Sequence, residues 1–244
     1  MPTEGTPEYV KALYEYASNI HKAQDLVYAI PLLERVAKLD DPFYGPFALS
    51  LLAQSYKKIG REDLEAEVFK RITALPKDHQ AVLNPRWLAT CYEKTGNLKM
   101  ASAIFLDCLR INPNEVGLTA SLAEVYVLDG KLDEAEVLGG GLIERPEVKF
   151  QIVGRMILGF ALALANKYDQ SAKEFVWLGQ FLLSSESVPP GTWDFRDMQP
   201  LVNKLGAQTR VANELIKVLS GNSTLQEFSH AWNEMGMTTA PRSA

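Results

Sequence analysis

The chain of 244 residues is poor in the side chains that most site chemistry requires. It has two cysteines, Cys91 and Cys108, too few for a disulfide framework at this length. Both are read as small buried hydrophobes. It has three histidines, His21, His79 and His230, none at metal-ligand spacing to another His or to a Cys. No metal and no cofactor is expected, and no Ser-His-Asp arrangement suggests a nucleophile, so the expectation is a protein that is not an enzyme. Positive charge is not in excess either. Lys and Arg total 25 against 30 Asp and Glu, a net charge of −5. No global basic field exists to attract nucleic acid or an anionic membrane. Long apolar runs are missing as well. The longest, Ile152 to Ala165, contains Arg155 and falls short of the ~20 residues a bilayer span needs, so no membrane insertion is expected. The first residues, Met-Pro-Thr-Glu-Gly-Thr-Pro-Glu, form neither the basic nor the apolar region of a secretory signal. A cytoplasmic protein is expected. Asn222-Ser223-Thr224 fits a glycosylation acceptor, but Thr224 and Glu227 read better as a helix capping box.

What the chain does have is an ordinary globular composition, 47% apolar and 23% charged, and an internal period. Leu88, Ala89 and Tyr92 precede Gly96, then Leu98, Ala101, Phe105 and Cys108 follow. A shift of 34 residues finds Leu122, Ala123, Tyr126, Gly130, Leu132 and Ala135. A shift back of 36 finds Leu52, Ala53, Tyr56 and Gly60. Weaker copies run from Tyr16 and Ala17 to Leu39, and from Leu158 and Gly159 to Phe175. Each unit reads as two helices. The first carries its apolar residues on one stripe, a glycine turns the chain, and a small residue in the second lets the helices approach. Thr6-Pro7 and Asn84-Pro85 are read as N-cap and first-turn pairs, and Asn114 as a further cap.

This pattern resembles the tetratricopeptide repeat (TPR) family, most strongly over 82–135. The consensus tryptophan of the first helix is replaced, with Pro85 in the region and Trp87 two residues on. The resemblance implies an all-α, right-handed α-solenoid of about five helix pairs with C-terminal capping helices. The expected organisation is a solenoid over 7–183, a loop over 184–192, capping helices over 193–236 and a disordered tail over 237–244. Trp193, Phe195, Phe228 and Trp232 are expected in the core.

Two features disturb the repeat. Gly139-Gly140-Gly141 falls inside a second helix, where three glycines should loosen or break it, either as a joint or where another helix comes close. The stretch Ile152–Ala165 is apolar nearly all round and predicts a buried helix. In the family, the first helices line the concave face, so an apolar inner surface here must be covered by the chain's own C-terminus or by a partner.

The resemblance also implies recognition of another protein or peptide on that concave face. The inward positions give Lys11 and Tyr14 from the first unit, Phe47, Gln54, Lys57 and Lys58 from the second, and Arg86 and Lys94 from the third. These are the expected partner-binding residues, and their charge suggests an acidic partner. In relatives that bind chaperone tails, Lys-x-x-x-Asn and Lys-x-x-x-Arg form a clamp. Here Lys11 is followed by Glu15 and Arg86 by Thr90, a departure from it. The function expected is an interaction scaffold or adaptor. The alternatives are a chaperone shielding an apolar segment, or an enzyme or enzyme subunit using the region from Trp193 on. Homo-oligomer formation through the aromatic N-terminal helix Pro7–Ile20 is a further expectation.

Overall fold

The computed structural model describes residues 3–185, 187–189 and 193–237. Every regular element among them is helical. The expected tail over 237–244 lies outside the described residues except for Met237, as does part of the 184–192 loop. The chain divides into two compact units, Met1–Cys108 and Leu109–Ala244.

The first unit contains α1 (Pro7–Lys22), α2 (Leu26–Lys38), α3 (Tyr44–Lys58), α4 (Glu62–Ala74), the single turn α5 (Lys77–Gln80), α6 (Pro85–Lys94) and most of α7 (Leu98–Ile111). The helices pack with sequence neighbours, α1 on α2, α2 on α3 and α3 on α4, while α1 also packs on α3. That neighbour and next-neighbour pattern is the arrangement of an α-solenoid. Two starts are capped as the sequence predicts. Thr6 Oγ1 accepts from the Tyr9 N–H at 3.3 Å with Pro7 in the first turn, and Asn84 Oδ1 accepts from the Trp87 N–H at 3.2 Å before Pro85. The predicted Asn114 cap is not formed. Glu115 holds the N-cap of α8, with no side-chain bond.

The period is written most clearly in the turns. Gln24, Gly60, Gly96, Gly130 and Asn166 all have φ between 62° and 78°, the left-handed region. The next residue returns its N–H to a carbonyl five positions back: Arg61 to Tyr56 (2.9 Å), Asn97 to Tyr92 (2.8 Å), Lys131 to Tyr126 (2.9 Å) and Lys167 to Leu162 (2.8 Å). This is the Schellman closure of a helix C-terminus. It marks five helix pairs. Only three of the five turn positions are glycine, which is why the first and last pairs are faint in the sequence.

The second unit holds α8 (Val116–Asp129), α9 (Leu132–Ile143), α10 (Val148–Leu164) and α11 (Tyr168–Ser184), then α12 (Gln199–Leu205), α13 (Arg210–Leu219) and α14 (Leu225–Glu234). The first four repeat the solenoid packing, and α8 also touches α10. The predicted break at the glycines does not occur: α9 runs unbroken from Leu132 to Ile143. The reason is its neighbour. A Cβ on Gly154 of α10 would lie 2.6 Å from the Gly139 carbonyl oxygen and 2.9 Å from the Ile143 nitrogen. The two backbones meet at Gly139 and Gly154, so close approach is the correct half of the expectation. Gly140 and Gly141 have nothing within 4 Å of an added Cβ.

As predicted, α10 is buried nearly all round. Its single arginine is engaged by α11: Arg155 pairs with Glu174 at 2.6 Å and lies 3.8 Å from the Trp177 ring centroid, while its buried Nε has no hydrogen-bond partner. Phe195, Phe228 and Trp232 are core, while Trp193 is partly buried. The Thr224 capping box opens α14 with Glu227, as read from sequence. Cys91 is buried, and burial raises its thiol pKa. Cys108 departs from the expectation, being only half-buried.

Candidate partner-binding surface

In α3 the residues turned away from the core recur at Phe47, Ser50, Gln54 and Lys57/Lys58, the spacing of one helical stripe. In α1 the stripe at the same spacing is Lys11, Tyr14, Ser18 and His21/Lys22, of which Ser18 and His21 are buried. Ring and polar contacts align the two stripes. The Tyr14 ring lies 5.3 Å from Tyr44 and 6.3 Å from Phe47. At the other end Lys58 Nζ donates to Gln24 Oε1 at 2.9 Å. The middle of α1 therefore faces the start of α3, and their ends face each other, so α1 and α3 run in the same direction with a seam between them.

The seam has two chemically distinct poles. At one pole four rings gather. Phe43 is half exposed and packs edge-on to Tyr44 (5.0 Å) and Phe47 (5.1 Å), and Tyr14 completes the group. Asp41 sets this pole, because its Oδ1 accepts from the Phe43 N–H at 3.0 Å and the Tyr44 N–H at 2.7 Å. Burial raises the Tyr14 pKa. At the other pole stand Lys22, in the last turn of α1, and Lys57 and Lys58, in the last turn of α3. Cations there complement the two helix dipoles and also concentrate positive charge at one place. His21 lies beneath them, 6% exposed, and its Nε2 has no hydrogen-bond partner. Desolvation first, and the Lys58 charge second, lower its pKa, so it is neutral at pH 7.

Of the eight predicted residues, the structure brings Tyr14 and Phe47 into one ring cluster and sets Lys57 and Lys58 at the opposite pole. Gln54 is exposed between them. Lys11 is exposed and faces Glu15 at 4.0 Å, which offsets its charge locally. Arg86 and Lys94 are exposed on α6, and Arg86 lies near Cys108, where its charge partly opposes the upward shift of the thiol. Phe43 and Tyr44 were not among the sequence candidates. Their signal is an aromatic pair directly after Asp41, at the start of a helix.

The equivalent face of the second unit is closed. Ala120 and Val127 of α8, and Val153, Met156 and Phe160 of α10, share a core with Phe195, Met198 and Val202. The Trp193 indole N–H donates to Glu124 of α8. The C-terminal segment thus lies on the surface that sequence analysis marked as needing a cover. His21, His79 and His230 sit on separate helices, α1, α5 and α14, and His230 pairs with Glu234 at 3.2 Å. Among the described residues no helix is long and apolar enough to cross a membrane.

The family model described as tetratricopeptide repeat matches residues 87–115, from the first turn of α6 through α7 to the cap of α8. The chain is similar to the crystal structure of the C-terminal part of a TPR repeat-containing protein from Cytophaga hutchinsonii. The identity is 13% and the TM-score 0.45, over 94% of this chain and 96% of that one. No curated protein matches the sequence. The matched stretch is one tetratricopeptide repeat, and the same turn closure recurs through five helix pairs.

Proposed function

We propose that this chain is an interaction scaffold of the cytoplasm whose first unit holds an acidic segment of a partner protein along the α1–α3 seam. Tetratricopeptide repeats generally mediate protein–protein interaction, and the repeat matched at residues 87–115 supports the reading. The observation that carries the finer reading is the two-pole seam. Lys22, Lys57 and Lys58 supply charge for carboxylates, and Tyr14, Phe43, Tyr44 and Phe47 supply rigid contact area. Gln54 between the poles offers both a donor and an acceptor to an extended backbone. Arg86 and Lys94 extend the positive surface onto α6.

The chaperone alternative loses the surface that motivated it, because the apolar face of α10 is covered by residues 195–202. Affinity capture from the native host, followed by titration of the captured partner, tests the scaffold reading. Reversing Lys57, Lys58 and Arg86 to Glu should weaken binding by at least tenfold and remove its salt dependence. Binding that is unchanged by these reversals refutes the acidic-segment reading.

A further inference from the structure

At the cationic pole of the seam, His21 is a buried titratable group held in a defined place. It sits in the last turn of α1, 6% exposed, and its Nε2 has no hydrogen-bond partner. A polar strap ties its backbone to α3. Lys58 Nζ donates to Gln24 Oε1 at 2.9 Å, and Gln24 Nε2 donates to the His21 carbonyl oxygen at 3.5 Å. Gln24 can reach both because it takes the left-handed turn between α1 and α2, with φ of 64°. The imidazole is thus fixed where α1 ends in Lys22 and α3 ends in Lys57 and Lys58.

The charges around this ring are of one sign. Lys57 and Lys58 come from α3, and Lys22 from α1 itself. On α2, Asp25 is exposed and lines a groove with Tyr16 and Ile20 to which His21 does not contribute. Tyr14, the other titratable group on the buried side of the stripe, is hydrogen-bonded to Ser18. Among the described residues no carboxylate pairs with His21. Protonated in place, the imidazole is a buried cation beside Lys58 without a counter-ion, which is a costly state. Carboxylates of a segment seated on the three lysines supply that counter-ion. A ligand that favours protonation is itself favoured by protonation, by the same factor.

We propose, resting on the acidic-segment reading above, that His21 couples binding at the lysine pole to uptake of a proton. One proton passes from solvent to the imidazole as the segment's carboxylates settle on Lys22, Lys57 and Lys58, so binding tightens as the pH falls. Burial and Lys58 hold the His21 pKa of the free chain below its ordinary value, and the bound segment raises it. Affinity is therefore flat at high pH, rises as pH falls through the bound-state pKa, and levels off below the free-state one. Each pH unit between the two is worth about tenfold in affinity.

NMR titration of the full chain with a hexa-aspartate peptide, at fixed ionic strength and at pH 7.5 and 5.5, tests this. Aspartate, with an ordinary pKa of about 3.9, stays ionised at both values. Affinity should rise about three- to tenfold on acidification. The His21 imidazole should titrate at higher pH with the peptide bound than without it. His21→Gln and His21→Leu should each bind at pH 7.5 as the native chain does, and lose the rise. Equal affinity of the native chain at the two pH values overturns the proton link. If Lys57→Glu and Lys58→Glu still weaken that binding, the acidic-segment reading stands without it. A rise that persists in both His21 variants overturns the assignment to His21. Absence of binding at both pH values overturns the acidic-segment reading and the proton link together.

Discussion

Gly154→Ala puts a methyl group 2.6 Å from the Gly139 carbonyl oxygen, 2.9 Å from the Ile143 nitrogen and 2.9 Å from Leu142 Cβ. That is about 1 Å inside ordinary contact, and two of the three neighbours are backbone. No rotamer change relieves it, so α9 and α10 must move apart. Overpacking of this kind costs about 1–3 kcal/mol, and the better helix propensity of alanine returns about 0.5–1 kcal/mol of it. Gly140→Ala and Gly141→Ala meet nothing, so they keep the propensity gain of about 0.5–1 kcal/mol each. Thermal unfolding followed by circular dichroism reads the difference. At about 2–4 °C per kcal/mol, the Gly140→Ala/Gly141→Ala pair should melt several degrees higher than the native chain, and Gly154→Ala several degrees lower. A Gly154→Ala protein stabilised as much as one carrying Gly140→Ala would show that the backbones are not in contact. A lower melting temperature for the Gly140→Ala/Gly141→Ala pair would show that the triplet is needed as a flexible joint, and the reasoning would fail.

Two further outcomes follow from buried side chains. Gly179→Ala places Cβ 2.0 Å from the Trp232 ring, which is fully buried. A rigid indole cannot yield, so α14 should be displaced at a cost of about 3 kcal/mol, with a red shift in tryptophan emission; unshifted emission refutes this. His21 titrates below its ordinary value in the folded chain, so the unfolded chain takes up the proton first as pH falls. Its contribution to stability is complete above about pH 6.5 and is lost as pH drops toward the lower folded value. Lys58, which faces His21 from α3, adds to this lowering after desolvation. The denaturation midpoint should therefore fall between pH 7.5 and 5.5, and His21→Leu should flatten that change. An equal fall in the variant refutes the assignment.

The sequence made the repeat legible where its local rules were obeyed. Leu-Ala-x-x-Tyr followed by glycine located the middle pairs, because glycine is the usual residue for a left-handed turn. Gln24 and Asn166 adopt the same turn with side chains that do not announce it, so the outer pairs were faint. The glycine triplet was misread as a break because propensity is a property of an isolated helix, while Gly139 is there for a neighbour that arrives fifteen residues later. Asn114 had the chemistry of a cap, but the helix began one residue too late for it. The ring pole was half visible. Helical spacing found Tyr14 and Phe47, but Phe43 and Tyr44 precede the stripe and join it only because Asp41 fixes the turn before α3. That residues 195–202 would be the cover for α10 depended on contacts distant in sequence, which no local pattern encodes.

That cover also sets an order of events during synthesis. In the first unit, helices pack on neighbours that have already left the ribosome, so it can assemble as it emerges. In the second, α10 is complete at Leu164, yet Phe195, Met198 and Val202 lie 31 or more residues downstream, and the indole that meets Glu124 is 69 residues from it. At about 5–20 residues per second, a newly made α10 waits roughly 2–8 s for its cover. During that interval the face of α10 that these residues cover stays open on the nascent polypeptide.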